Sequence, residues 1–352
     1  MQVMNLNALK PSGFALIAAF SMCACTAPKD RPAPNDLVHK DGKVSAAVEL
    51  SPDLTLRSPV YLRPDNWWNL DISNAPVDPS SGQLIAWLGE QDSGIGAGVP
   101  HADFSPRFGI PYITVPGTQP KVEVIFTAYP EESDHVGYPI PEEAKLNPLF
   151  TESQGSEKGD RHICIIDRDN WYLYELVQAK WTGQHWEANC GAVFDLATNK
   201  RRPEGWTSTD AAGLAVFPGL VRYDEAFGAN PIKHAFRVAA RRSNGYVWPA
   251  SHAAGNTDGA PPMGTRLRLK ASVDISGYPP EVQKIFQAMK TYGLIVADNG
   301  SDLYVTGTYD TRWDNDVLNP AFSAIKARDF EVVQLGWEPA SRSFVRRRTV
   351  RH

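Results

Sequence analysis

The chain has 352 residues, and 35 Lys and Arg against 40 Asp and Glu give it a formal net charge of −5. A mildly acidic chain whose one basic run is residues 346–352 lacks the basic surface that nucleic-acid binding needs, so we predict no nucleic-acid partner. It contains no Gly-x-Ser-x-Gly turn, P-loop or dinucleotide-binding motif, which argues against serine-hydrolase and nucleotide chemistry.

The first segment of the chain has the pattern of an export signal. An apolar stretch from Phe14 to Ala24 follows Lys10; it is too short to span a bilayer but has the length of a signal-peptide core. Residues 22–25 resemble a bacterial lipobox that ends at Cys25. We therefore predict a signal peptide over 1–24, lipidation of Cys25 and an anchored protein in the cell envelope, on the periplasmic face or at the cell surface.

The composition after the leader indicates one large domain. Residues 25–58 are rich in Pro, Asp and Lys and are predicted to form a flexible tether. Residues 59–335 show short apolar alternations between turn signals, and 336–352 form a basic tail. The whole chain contains 27 Gly, 28 Pro, 10 Trp, 12 Tyr and 14 Phe. Turn-rich, aromatic-rich exported chains are typically β-sandwiches or barrels, so we predict a mainly β fold, sandwich or jelly-roll, with one or two short helices near the C-terminus.

Periodicity places the elements. Residues 279–292 put Val282, Ile285, Phe286 and Met289 on one helical face, with a proline at the start and Gly293 after the end. A shorter helix is predicted at 319–327. Alternating apolar residues predict strands at 122–127, 163–167, 171–181, 187–195, 234–240, 266–273, 293–298 and 303–306.

Several short motifs are spread through the chain after residue 60. They are Asp65-Asn66-Trp67, Arg161-His162 with Asp167, Leu173-Tyr174-Glu175-Leu176, Gly205-Trp206-Thr207-Ser208, Asp210-Ala211-Ala212-Gly213-Leu214, Pro261-Pro262-Met263-Gly264, Lys290-Thr291-Tyr292-Gly293 and Ala297-Asp298-Asn299-Gly300. These motifs resemble those of an uncharacterised family of exported bacterial proteins. The resemblance covers most of the chain after residue 60 and implies one long domain outside the cytoplasm, but it implies no reaction, substrate or catalytic residue.

The strand at 171–181 carries the strongest catalytic signal. Alternation puts Glu175 in an otherwise apolar row with Trp171 and Trp181. Apolar surroundings raise the pKa of a carboxyl toward that of a general acid, and indoles stack on sugar rings, so this row is typical of a glycan-cleaving site. The alternatives are a buried Glu175 paired with Arg237, or a row that faces solvent.

Further residues could complete such a site. Asp167 or Glu225 is predicted as the second carboxylate. His234 is the one polar residue on the apolar face of its strand, where it is either a base or a hydrogen-bonded core residue. Trp248 is predicted to bind sugar together with Trp171 and Trp181.

A row of cations is predicted on the strand at 266–273. Arg266, Arg268 and Lys270 alternate with apolar residues and so share one strand face. Such a row is either a solvated face or, with Arg237, a site for the carboxylates of an acidic polysaccharide, because arginine binds carboxylates in bidentate geometry.

The sequence leaves two questions open: whether the chain binds calcium, and whether Cys164 and Cys190 form a disulfide. Alternating Asp and Asn at 167–170 and 310–316 suit calcium, but the same residues are common in turns. Cys164 and Cys190 are the two cysteines after the leader, and export favours a disulfide. If they lie on the first and third strands of a meander, they are about 9.6 Å apart and both thiols stay free.

These patterns together predict an envelope-anchored protein that acts on polysaccharide or cell-envelope glycan. In the first interpretation it is a hydrolase or lyase that uses Glu175 in an aromatic cleft. In the second it is a non-catalytic glycan-binding or structural lipoprotein, in which Glu175 and His234 are satisfied core groups.

Overall fold

The computed structural model describes residues 62–89, 100–102, 104 and 108–339. The predicted signal peptide, Cys25, the tether and the tail beyond residue 339 lie outside the described residues. Within the described ranges, no helix has the length and apolar character that a bilayer crossing requires.

Twelve short strands form three sheets in the described part of the chain. Sheet A has the order β1-β3-β4-β7, sheet B the order β11-β8-β10-β9-β12, and sheet C the order β2-β6-β5. The strands are β1 Tyr112–Val115, β2 Val124–Phe126, β3 Ile163–Asp167, β4 Tyr172–Val177, β5 Lys180–Trp181, β6 Trp186–Ala188, β7 Cys190–Asp195, β8 Phe236–Ala240, β9 Arg266–Leu269, β10 Leu294–Asn299, β11 Tyr304–Val305 and β12 Phe330–Val332.

Sheet A is covered on both faces. Because side chains alternate along a strand, Tyr174 of β4 packs on one face in a cluster with Phe126, and Leu173 packs on the other face with Phe217. Glu175 shares the Leu173 face. Neither face of β4 is therefore open to solvent along its middle. The alternation of its residues had suggested that one face would line an open cleft.

Sheet B has an apolar face and a polar face. Leu267 and Leu294 pack in the same cluster as Phe286 of the helix at 280–291. On the opposite face, Ile295 of β10 is in register with Arg237 of β8 on one side and with Arg266 of β9 on the other. Since paired residues point to the same face, these two arginines lie in one row across the sheet.

The segment at 209–219 joins sheets A and B. The Thr209 hydroxyl donates to Glu175 of sheet A at 2.8 Å, while the neighbouring Asp210 accepts from Arg237 of sheet B at 2.9 Å. A Cβ on Gly219 would lie 3.0 Å from the Arg237 Cβ, so the backbone here passes closely over sheet B. Buried polar bonds, rather than apolar packing alone, therefore hold the two sheets together.

The helices are α1 Ser81–Gly89, α2 Tyr223–Phe227, α3 Pro280–Thr291 and α4 Asn315–Ala324. The prediction for α3 is confirmed, including its four buried apolar residues and a Gly293 in the left-handed region at φ 80°. The prediction for α4 was wrong at both ends. The helix begins at Asn315, after Asp314, whose side chain caps it by accepting from Asp316 N at 2.9 Å, and it ends at Ala324 with Pro320 inside it. The sequence reading missed α1 and α2.

The mainly β prediction is confirmed, and its strand boundaries need correction. The predicted strand at 171–181 is interrupted after Val177 because Gln178 has a left-handed backbone at φ 56°, and the chain then enters sheet C as β5. Each sheet is mixed, with a parallel pair β1-β3, β8-β10 or β2-β6. The finer sandwich or jelly-roll assignment stays a prediction.

Candidate functional site

A surface pocket of about 230 Å³ lies beside the hairpin of sheet C. Its side chains combine two indoles with cations and small polar groups. The lining includes Lys145, Thr151, Arg161, Lys180, Trp181 and Trp186. Trp181 is the one predicted sugar-binding residue that lines this pocket.

The hairpin of β5 and β6 positions the two indoles. Thr182 N donates to His185 O at 3.0 Å and closes the turn, which places Trp181 directly opposite Trp186. The two ring centroids are 5.7 Å apart with a tilt of 54°. Trp186 is buried and supports Trp181, which is partly exposed. The arrangement presents one indole to solvent on a fixed base.

Three cations line the pocket together with the partly exposed indole. Lys145 Nζ lies 4.3 Å from the centre of the Trp181 ring, within cation–π range, and also pairs with Glu142 at 2.6 Å. Lys180 pairs with Glu157 at 3.2 Å. Arg161 is the third cation of the lining, so the pocket has three cations, two of which are paired with carboxylates.

Strained backbone clusters around this pocket. Arg161 and Gln178 have left-handed φ values of 50° and 56°, and Ser153 and Gln154, before the lining residue Gly155, have 55° and 52°. Non-glycine residues in this region cost free energy and are concentrated at binding and active sites. Gln178 N donates to Asp160 O at 2.7 Å, so the two strained stretches at 160–161 and 178–179 support each other.

A buried ion pair lies directly behind the pocket wall. His162, next to Arg161, has its Nδ1 2.6 Å from Glu152 Oε2 and its Nε2 2.9 Å from Thr209 O. Both partners are acceptors, so the ring must donate from both nitrogens as imidazolium. Burial alone would lower the pKa of His162, but the charge of Glu152 and the hydrogen bond to it raise the pKa to about 10.

Glu175 is sealed in the interior rather than open to a cleft. Its side chain is fully buried and accepts from the backbone amides of Phe217 at 2.8 Å and Val216 at 3.0 Å, and from the Thr209 hydroxyl at 2.8 Å. Burial raises the pKa of Glu175, and these donors oppose the rise. The predicted pairing with Arg237 was also wrong, because backbone amides occupy the carboxylate. Glu175 therefore has a structural role and makes no contact with solvent.

Arg237 instead binds two other carboxylates. It makes a bidentate pair with buried Asp210, at 2.9 and 2.8 Å, and its Nη2 also lies 3.2 Å from Asp298 Oδ2. Asp298 stands at the end of β10, after a register shift, with 31% of its side chain exposed. Burial, followed by the charge of Asp210, raises the pKa of Asp298 to about 7, with Arg237 acting in the opposite direction.

Glu225 and His234 meet, but away from the pocket. Glu225 Oε2 lies 3.0 Å from His234 Nε2, and Oε1 accepts from Arg222 at 2.8 Å. All three side chains are buried. The triad links α2 to the residues before β8. His234 is thus a hydrogen-bonded core residue, as the second interpretation had it.

The other predicted sugar-binding residues are elsewhere. Trp171 and Trp248 are partly buried and pack against the apolar clusters of sheets A and B. Arg266 and Arg268 are buried: Arg266 donates to Trp67 O at 2.7 Å, and Arg268 pairs with Glu331 at 2.8 Å. Two of the three predicted cations, Arg266 and Arg268, therefore face the protein interior, because the chain at 67–75 covers that face of β9. Lys270 lies beyond the end of β9 and donates to Arg328 O at 2.7 Å.

The acidic segments predicted for calcium make turns and caps. Asp167 Oδ1 accepts from the amides of Asp169 and Asn170 at 3.1 and 2.9 Å, and Asp167 is buried, so it is not a second catalytic carboxylate beside Glu175 in a cleft. Asp310 pairs with Arg312, and Asp314 caps α4. Within the described ranges, no group of three or more His, Cys, Asp or Glu side chains is arranged to hold a metal ion.

Cys164 and Cys190 are both free and buried. They lie on β3 and β7, which are separated by β4, so the meander geometry that forbids a disulfide is the one observed. Ser133 Oγ lies 3.6 Å from Cys190 Sγ, and Cys164 Sγ lies 3.9 Å from Glu175 Oε1. Of the two alternatives that the sequence left open, free buried thiols are therefore the one observed.

Sequence reasoning missed most of the pocket. Lys145, Arg161 and Trp186 were not predicted as site residues, although Trp186 lies three residues after Gly183 of the Thr182-Gly183 turn signal that made a hairpin recognisable. Lys145 and Thr151 lie in or next to short 3₁₀ helices at Glu142–Lys145 and Glu152–Gly155, which no periodicity marks.

No protein-family model, curated protein or solved structure matches this chain.

Proposed function

We propose that this protein binds a saccharide in the pocket beside Trp181. The observation that carries the proposal is a partly exposed indole that packs at a tilt against a buried second indole and shares the pocket lining with three cations. Small-molecule sites combine aromatic lining with a few placed polar groups, and an indole has a flat apolar face that suits the C–H face of a sugar ring.

The size of the pocket favours a short segment of glycan. A volume of about 230 Å³ is below the roughly 300–1,000 Å³ of drug-sized sites. Such a pocket accommodates one sugar residue of a glycan, while the adjacent sugar residues of the same glycan stay in solvent. A chain end or a single side residue of a polysaccharide is therefore the ligand that fits best.

The lining supports binding rather than hydrolysis. Most glycosidases need two carboxyl groups that flank the scissile bond. Among the described residues that line the pocket, Glu157 is the one carboxylate, and it is exposed and paired with Lys180. Glu175 lies in the interior. The second of the two interpretations, a glycan-binding protein, is the one we adopt.

The proposed cellular setting comes from the leader. A lipid on Cys25 and a tether over 25–58 would hold the domain in the cell envelope, where polysaccharide and envelope glycan are the available ligands. We also propose that sheets A and B pack like the two layers of a β-sandwich, joined by the segment at 209–219.

Glycan binding by wild-type protein and by Trp181→Ala tests the proposal. We expect wild type to bind a subset of an immobilised glycan panel and Trp181→Ala to lose at least about tenfold in affinity, which corresponds to ~1.4 kcal/mol. Trp171→Ala, which removes an indole outside the pocket, is the matched control and should bind normally. Equal affinity of wild type and Trp181→Ala, or no binding by wild type, would contradict the proposal.

A further inference from the structure

The cations of the Trp181 pocket are not equivalent. Lys145 and Lys180 each have an acidic partner, at 2.6 and 3.2 Å. Arg161 has no ion pair and no hydrogen bond from its two terminal nitrogens to any described residue. Its one side-chain bond is from Nε to Ala179 O at 3.3 Å. The pocket thus contains a guanidinium whose outer edge is available to a ligand.

The fold holds this guanidinium in place. Arg161 is partly buried and in a left-handed backbone conformation at φ 50°. Its carbonyl accepts from Ala179 N at 3.2 Å, and its Nε donates back to Ala179 O. A side chain anchored by its own Nε loses little further freedom when Nη1 and Nη2 bind a ligand, so the cost of ordering it is reduced before binding.

The chemistry of the available edge selects an anion. A guanidinium presents parallel N–H donors that match the two oxygens of a carboxylate or a similar oxyanion, and charge-assisted bonds of this kind are about twice as strong as neutral ones. Both lysines of the lining already have acidic partners, so the Arg161 guanidinium is the charge that an anionic ligand would neutralise. A neutral sugar would leave this positive charge uncompensated.

We infer that the saccharide bound beside Trp181 is acidic, a uronate or a sulfated sugar, and that Arg161 binds its oxyanion. This inference rests on the proposed function, since it names the class of sugar that the same pocket takes. Trp181 supplies the apolar contact with the ring, and Arg161 supplies the selectivity for the charged substituent.

The test uses trigalacturonate, its carboxyl-reduced neutral form and a sulfated galactotriose as probes, with affinities measured by calorimetry on the full chain. Wild type should bind trigalacturonate or the sulfated probe about tenfold or more tightly than the neutral form, and this preference should weaken at high salt. The two acidic probes distinguish a carboxylate from a sulfate as the bound group.

Arg161→Gln and Arg168→Gln form a matched pair of variants. Arg168 is exposed, and its pair with Asp169 lies outside the pocket. Arg161→Gln should abolish the preference for the acidic probes and leave binding of the neutral form unchanged, whereas Arg168→Gln should retain the preference. The comparison of charged and neutral probes on wild type needs no variant and so does not depend on folding.

The experiment distinguishes a failure of this inference from a failure of the proposed function. If wild type binds the neutral and acidic probes equally, with the binding still lost in Trp181→Ala, the inference is overturned and the proposed function stands. If wild type binds none of the probes or other members of the glycan panel, both are overturned. A preference for acidic probes that persists in Arg161→Gln also overturns the role of Arg161.

Discussion

Arg161 and Ala179 exchange two hydrogen bonds across the wall of the pocket, from Ala179 N to Arg161 O at 3.2 Å and from Arg161 Nε to Ala179 O at 3.3 Å. This exchange ties the chain before β3 to the chain immediately before Trp181. The guanidinium and the indole are consequently held in a fixed relation, which is what a preorganised binding site requires.

Glu175→Gln should lower the free energy of unfolding and leave glycan binding intact. Each oxygen of Glu175 accepts from a backbone amide, so an amide NH₂ in either position would face a donor. We expect a loss of about 1–3 kcal/mol in urea denaturation. If instead Glu175→Gln is as stable as wild type but loses a glycan-cleaving activity, Glu175 acts in catalysis and the structural assignment is wrong.

Asp298 should make stability depend on pH between about 4 and 7. Burial and the charge of Asp210 raise its pKa to about 7 in the folded protein, above the ordinary carboxyl value of about 3.9. The protonated carboxyl therefore contributes stability that is complete below about pH 4 and is lost as the pH rises through about 7.

Urea denaturation of Asp298→Asn at about pH 5 and about pH 8 checks this sign. The amide side chain of the variant is uncharged at both pH values. Its free energy of unfolding should therefore fall less over this pH interval than that of wild type. Asp258→Asn, at an exposed position, should behave like wild type. A parallel fall in wild type and Asp298→Asn would show that Asp298 titrates normally.

Glu152→Gln should destabilise the protein at neutral pH and much less at alkaline pH. The pair with Glu152 raises the pKa of His162 to about 10, so its contribution is complete below about pH 6.5 and is lost as the pH rises through about 10. Removal of one partner of a buried pair costs about 3 kcal/mol. The difference between wild type and variant in urea denaturation should shrink above about pH 10, and a constant difference would contradict the ion pair.

Cys164 and Cys190 should behave as unreactive thiols in the folded protein. Burial raises the pKa of both thiols, and the thiolate is the reactive form. A thiol reagent should label neither until denaturant is added, and a reductant should leave the melting temperature unchanged. A non-reduced digest that contains a peptide joining Cys164 to Cys190 would show a disulfide and contradict the strand order.

The local elements were predictable where several sequence signals favour the same structure. β3 at Ile163–Asp167 has the predicted bounds, because a short β-branched run between turn residues has few alternatives. α3 was predictable because its apolar period agrees with a proline at its start and Gly293 after its end. In both cases propensity, pattern and boundary residues favour the same structure.

The site was predictable only in part. Alternation correctly placed Glu175 on a face with Leu173, but it could not show that the backbone at 216–217 would cover that face, since the covering segment is distant in sequence. Trp181 was predicted from the same row, yet the chain changes sheets at Gln178 between the two residues. A left-handed glutamine leaves no sequence signal, so neither the break nor the pocket that follows from it was visible.

A crystal structure of the domain with the tightest-binding oligosaccharide tests the central claim most directly. The proposal predicts one sugar ring against the exposed part of the Trp181 indole, within about 4 Å, with the rest of the chain in solvent. A sugar bound at another place, such as the surface beside Asp298 at the end of β10, with the Trp181 pocket empty, would contradict it.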